Sequence, residues 1–231
     1  GGTLTDLAKR IADQGLAVAS AIGFAQWIVD DNAQRAKGLE EARRTMDMVA
    51  QLGGTRIAAP PAGATDKPGL NLLAAAERYG ELLELGRRLG VTPMLEVWGF
   101  SKNLHRLGET VFVAAECGHR DACLLLDVYH IYKGGSGFAG LHLLGGAGMH
   151  VFHINDYPAA PPRETITDAD RVYPGDGVAP LGQLLRDLRA AGFRGTLSLE
   201  LFNRGYWEQD ASEVAKTGLE KTKAAVEKAL A

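Results

Sequence analysis

Leu124-Leu125-Leu126-Asp127-Val128-Tyr129-His130 is an apolar run broken by one carboxylate, with a histidine three residues further on. Near-continuous apolarity of this kind marks a strand buried on both faces, as in a parallel sheet. A carboxylate at the end of such a strand is costly unless its surroundings are built for it. The pattern recurs on both sides. Thr92-Pro93-Met94-Leu95-Glu96-Val97-Trp98 places a glutamate near a strand end, and Val151-Phe152-His153-Ile154-Asn155-Asp156 closes on His, Asn and Asp. Leu197-Ser198-Leu199-Glu200-Leu201-Phe202-Asn203 adds a second glutamate.

Outward from these four runs, strands and helices alternate. Strand candidates are 16–24, 56–60, 92–98, 122–129, 150–155 and 196–202, and helical periodicity covers 36–52, 70–89, 102–117, 136–147, 180–191 and 210–230. Repeated β-α units specify a parallel α/β fold. A doubly wound nucleotide fold carries its Gly-rich turn after the first strand, whereas Gly134-Gly135-Ser136-Gly137 follows the fourth and lacks the phosphate-binding pattern. The expectation is therefore one domain over 1–231, an α/β (β/α)8 TIM barrel. Six strands against eight, and a first residue that is not Met, lead us to expect one or two βα units upstream of Gly1.

The 231 residues carry 25 Lys+Arg against 28 Asp+Glu, a net charge of −3. That balance argues against a nucleic-acid partner. Cys117 and Cys123 are too few and wrongly spaced for a disulfide framework or a common zinc motif. No apolar run approaches the ~20 residues of a membrane span, and no signal peptide is legible. The expected compartment is the cytoplasm, with no membrane partner.

Glu96, Asp127, His153 and Glu200 come from four successive strands that contain no Lys or Arg. In a barrel, C-terminal strand ends converge on the mouth. Three carboxylates and an imidazole converging there need a cation, and O/N donors of this mix suit one divalent metal ion: Mn²⁺, Mg²⁺, Co²⁺ or Zn²⁺.

These strand ends (Glu96, Leu126-Asp127-x-x-His130, His153-x-x-Asp156 and Ser198-Leu199-Glu200) resemble the xylose isomerase-like barrels, from about residue 16 to the C-terminus. That family includes sugar isomerases and epimerases, inosose and dehydroshikimate dehydratases, and a branch of abasic-site endonucleases. The resemblance implies a metal on Glu96, Asp127, His153 and Glu200, and the residue types make Glu96 and Glu200 the candidates for catalytic proton transfer. The expected function is a divalent-metal-dependent isomerase or epimerase of a small sugar, working through a metal-stabilised enediolate. The alternative is a metal-dependent dehydratase of an inosose or dehydroshikimate-like substrate, since both share that intermediate. Neutral-to-acidic charge argues against the endonuclease branch, and the intact set of four argues against a degenerate binding subunit.

Around the metal, the resemblance implies that His130 holds a substrate oxygen and that Asp156 supports the site. Lys133, on the loop after Asp127, faces a carboxylate, a phosphate or solvent. The stretch 157–177 is Pro-rich, charged and long enough to act as a lid, so Arg163 and Arg171 are candidates for reaching substrate. The sugar epimerases place an arginine soon after the strand histidine, whereas Tyr157-Pro158-Ala159-Ala160-Pro161-Pro162 intervenes here. Trp98, Phe202, Tyr206, Trp207 and Trp27 are candidates for packing a sugar's apolar face. The expected partners are a small-molecule carbohydrate and, through exposed barrel helices, further copies of the chain.

Overall fold

Arg56–Ala59 (β1), Thr92–Glu96 (β2) and Leu124–Asp127 (β3) are extended and parallel in the computed structural model, which describes residues 2–231. β1 pairs with β2 from Arg56↔Thr92 to Ala59↔Leu95, and β2 pairs with β3 at Leu95↔Leu124 and Glu96↔Leu125. The chain divides into two units, one ending at Leu125 and the other running Leu126–Ala231.

In the first unit, helices start and stop where their sequences say. Leu4–Asp13 (α1) opens with a capping box between Thr3 and Asp6. Asn32–Gln51 (α2) is capped by Asp31 and buries Gly38, Ala42, Met46 and Val49, a stripe at helical spacing. Leu72–Leu89 (α3) is capped by Asn71 and ends at Gly90, whose φ of 72° suits a residue without a Cβ. Leu107–Glu116 (α4) completes the set. Tyr79 ties α3 to the strands: its buried hydroxyl lies 2.9 Å from both the Pro93 and Cys123 carbonyl oxygens. The strand expected over 16–24 is reduced to one bridge, Ala21↔Ile57. At Gly23 a Cβ would meet the end of the Ile57 side chain at 2.9 Å, so a larger residue there would have to push that side chain aside.

In the second unit, β3 passes straight into Val128–Lys133 (α5). Met149–Ile154 (β4) pairs in parallel with Thr196–Leu199 (β5), from Val151↔Thr196 to Ile154↔Leu199. Leu181–Ala190 (α6) buries Leu181, Leu184, Leu185 and Leu188, and packs with Ala211–Leu230 (α8). Arg204–Trp207 (α7) is a single turn capped by Asn203. The α-helix expected over 136–147 is instead two 3₁₀ turns, Phe138–Leu143 and Gly146–Gly148. Gly137, Gly140, Gly145, Gly146 and Gly148 remove the helix propensity that the apolar spacing suggested. Among the described residues, no helix is long and apolar enough to cross a membrane.

Candidate metal centre

The centre lies in the second unit and begins with Asp127. This residue ends β3 and caps α5, and its two oxygens have different partners. Oδ1 accepts from the His130 amide at 2.7 Å, the N-cap bond. Oδ2 accepts from Asn155 Nδ2 at 2.9 Å and from Arg171 Nη1 at 3.2 Å. Asn155, just past β4, also accepts from the Tyr129 amide at 3.0 Å.

His153 comes from β4 and Glu200 directly follows β5. His153 Nδ1 stands 3.4 Å from Glu200 Oε2 and 3.8 Å from Asp127 Oδ2. One ligand atom from each of the three lies within 4.8 Å of the others. Ligands about 2.1 Å from a tetrahedral ion stand roughly 3.4 Å apart, so these spacings fit a divalent cation without rebuilding the backbone.

Arg171 is the fourth member. Its guanidinium is fully buried, with Nη1 2.8 Å from Glu200 Oε2, and Nη2 against Asp168 and 3.0 Å from His130 Nε2. It also lies over the rings of Tyr129 and Phe202, 4.5 and 5.1 Å from their centroids. Guanidinium nitrogens only donate, so His130 Nε2 is the acceptor and the imidazole is neutral with its proton on Nδ1. Burial agrees, pushing the His130 pKa down to about 4 against the pull of Asp127. For Arg171, burial favours the neutral form but Asp127, Asp168 and Glu200 outweigh it, so it stays charged. Burial likewise opposes ionisation of Glu200, yet its bond to His153 and the Arg171 charge hold the carboxyl well below its ordinary range.

One guanidinium thus faces three carboxylates, with a neutral imidazole beside it. The surplus negative charge, together with the Asp127–His153–Glu200 spacing, is what a divalent cation would balance. The donor set fits a metal.

The loop between β4 and α6 delivers Arg171. Asp156 pairs backbone with Val172 at 2.9 and 3.0 Å. Its carboxylate accepts from the amides of Tyr157 (2.8 Å), Gly175 (3.0 Å) and Ala179 (2.8 Å). Asp156 is therefore a loop organiser. At Gly177 a Cβ would fall 2.3 Å from Asp156 Oδ1, so only glycine leaves room for this arrangement. Asn203 donates to the Arg171 carbonyl at 3.1 Å and fixes the far end.

The remaining expected residues are placed as follows. Lys133 Nζ donates to the carbonyls of Arg163 (3.0 Å), Glu164 (3.1 Å) and Ile166 (2.8 Å), which makes it a clamp on the loop. The exposed Arg163 side chain lies 3.9 Å from Glu164, so of the two loop arginines it is Arg171 that joins the cluster. Glu96 is buried at the end of β2 in the first unit, and Trp98 packs there between Phe24 and Phe100, 6.0 and 5.0 Å centroid to centroid. Asn155 and Asp168 were not anticipated as members of the site. A polar side chain inside the 151–156 run was the available signal for Asn155. Asp168 had only its three-residue spacing from Arg171.

A model of the xylose isomerase-like TIM barrel family matches residues 2–225. An inosose isomerase of Halalkalibacterium halodurans is 31% identical over 149 residues, 64% of this chain and 52% of that protein. An L-ribulose 3-epimerase of Mesorhizobium japonicum is 28% identical over 222 residues, 90% of this chain and 69% of that protein. The crystal structure of the IolI protein with a bound zinc atom superposes with a TM-score of 0.90 at 24% identity, covering 100% of this chain and 84% of that one. The alignments span about half the length of three inosose isomerases.

Proposed function

Because the chain belongs to the xylose isomerase-like TIM barrel family, we propose that it is a divalent-metal-dependent isomerase or epimerase of a small polyhydroxy carbonyl compound, a cyclic inosose in the first instance. Similarity to an inosose isomerase and an L-ribulose 3-epimerase supports the reaction class. The observation that carries the reading is the convergence of Asp127 Oδ2, His153 Nδ1 and Glu200 Oε2 within 4.8 Å of one another. These three residues would hold the ion. When bound, a divalent ion acts as a Lewis acid that makes a proton beside a carbonyl easier to remove.

The protein groups supply the proton transfer. Glu200, kept ionised by His153 and Arg171, accepts the substrate's α-proton. A second acid then returns a proton. Return to the same carbon from the opposite face gives epimerisation, and return to the neighbouring carbon gives isomerisation. Arg171 is held by Asp168 and His130, so it presents a fixed positive charge next to the developing oxyanion.

The test pairs metal content with turnover. Purified chain loaded separately with Zn²⁺, Mn²⁺, Co²⁺ and Mg²⁺ is analysed by mass spectrometry, and scyllo-inosose in D₂O is followed by proton NMR. About one ion per chain, with deuterium entering beside the carbonyl and a new isomer forming, is the expected result. Loss of water with enone absorbance would assign a dehydratase instead. Failure to retain any of the four ions would overturn the reading.

A further inference from the structure

Arg171 divides its guanidinium between two duties. Nη1 reaches the oxygens offered to the metal, 3.2 Å from Asp127 Oδ2 and 2.8 Å from Glu200 Oε2. Nη2 reaches two groups outside the ligand set, Asp168 and His130 Nε2, the latter at 3.0 Å. The charge that would otherwise concentrate on the ligand carboxylates is therefore shared with Asp168. That aspartate sits on a 3₁₀ turn, Asp168–Asp170, about one third exposed, and touches none of the three ligands through the contacts described. Thr167 and Asp170 close a capping box around the same turn, which fixes where Asp168 stands.

We propose that Asp168 is a positioning residue that acts through Arg171 to set how tightly the Asp127–His153–Glu200 cluster holds its metal. The proposal rests on the metal-site reading above. Arg171 is an internal cation on both carboxylates of the ligand cluster, so it competes electrostatically with any ion placed there. Asp168 draws that charge away from the ligand oxygens and eases the competition. The two residues are chemical partners, yet their removal shifts metal affinity in opposite directions. A purely structural role, in which either loss merely loosens the site, weakens binding in both cases.

The experiment is a zinc titration of the full chain against a chromophoric chelator, for wild type, Asp168→Asn, Arg171→Met, Arg171→Lys and the two double variants that combine Asp168→Asn with Arg171→Met or with Arg171→Lys. Thermal melts of the metal-free proteins accompany it. Arg171→Met is expected to bind zinc more tightly, on the order of tenfold, while melting at a lower temperature without metal. Asp168→Asn is expected to bind several-fold more weakly, and most of that loss should vanish in the double variant with Arg171→Met because the intermediary is gone. Should Arg171→Met fail to fold, Arg171→Lys, which keeps one charge but cannot bridge both sides, is expected to make the Asp168→Asn effect smaller. Zinc binding by wild type with Asp168→Asn unchanged, or equally weakened in both backgrounds, overturns this proposal alone. Absence of zinc binding in wild type overturns the metal-site reading with it.

Discussion

Asn155 Nδ2 donates a 2.9 Å hydrogen bond to Asp127 Oδ2, the same oxygen that faces His153 and Arg171. Its own Oδ1 receives the Tyr129 amide at 3.0 Å, so one side chain holds the carboxylate and the start of α5 together. Replacing it by leucine, close in volume, leaves a buried amide and a buried carboxylate oxygen each short of a partner. Asn155→Leu is expected to cost about 2–4 kcal/mol of stability and to weaken zinc binding. Chemical denaturation with a parallel metal titration checks this, and a variant as stable as wild type would refute it.

Gly177 is required by Asp156. An added Cβ would come within 2.3 Å of both Asp156 Oδ1 and the Tyr157 carbonyl. Since that carboxylate gathers three loop amides, Gly177→Ala is expected to destabilise the protein by about 1–3 kcal/mol. It should also displace Arg171, which the same loop carries. A crystal structure of the variant reads the displacement directly, and an unmoved Arg171 would contradict the coupling.

Lys133 clamps three carbonyls of the loop. Lys133→Met is expected to cost only about 1 kcal/mol, because those carbonyls can turn to water. Its main effect should be faster hydrogen exchange at amides 163–168 while the metal stoichiometry stays at the wild-type value. Equal exchange rates in the two proteins would show that the clamp is dispensable.

Cys123 supplies a pH dependence away from the centre. Burial pushes its thiol up to about 11, with the Tyr79 hydroxyl opposing in part. Between the unfolded value near 9 and 11 the folded protein holds a proton that the unfolded chain has lost, so stability falls as pH rises through that window and is complete below it. Cys123→Ala should flatten this alkaline slope in urea melts. The same burial predicts that a thiol reagent at pH 8 labels the half-buried Cys117 before Cys123, which reacts only on unfolding.

How much of this was legible before folding depended on the kind of signal. Five of the six strands and the long helices could be read because burial on both faces and helical spacing leave direct traces in residue type. The apolar residues of 136–147 fell at helical spacing, but the glycines among them decided for tight turns. Asp127, His153 and Glu200 stood out as ionisable groups in apolar runs, and the structure does bring them together. Loop residues had no such contrast. Arg163 and Arg171 are equivalent as letters, and it is the folded loop, through the Asp156–Val172 pairing, that turns one inward and leaves the other in solvent. For Lys133 the sequence leaves a carboxylate, a phosphate or solvent open, whereas its partners are backbone carbonyls that no sequence pattern displays.

Asp127 closes a strand, caps a helix with one oxygen and faces the cluster with the other. A descendant that abandoned metal chemistry would still be selected to keep that aspartate, because the helix start needs it. Its persistence in a diverged copy is therefore a poor record of ancestral activity. His153, which caps no helix, is the position whose replacement would mark the day the trade was given up.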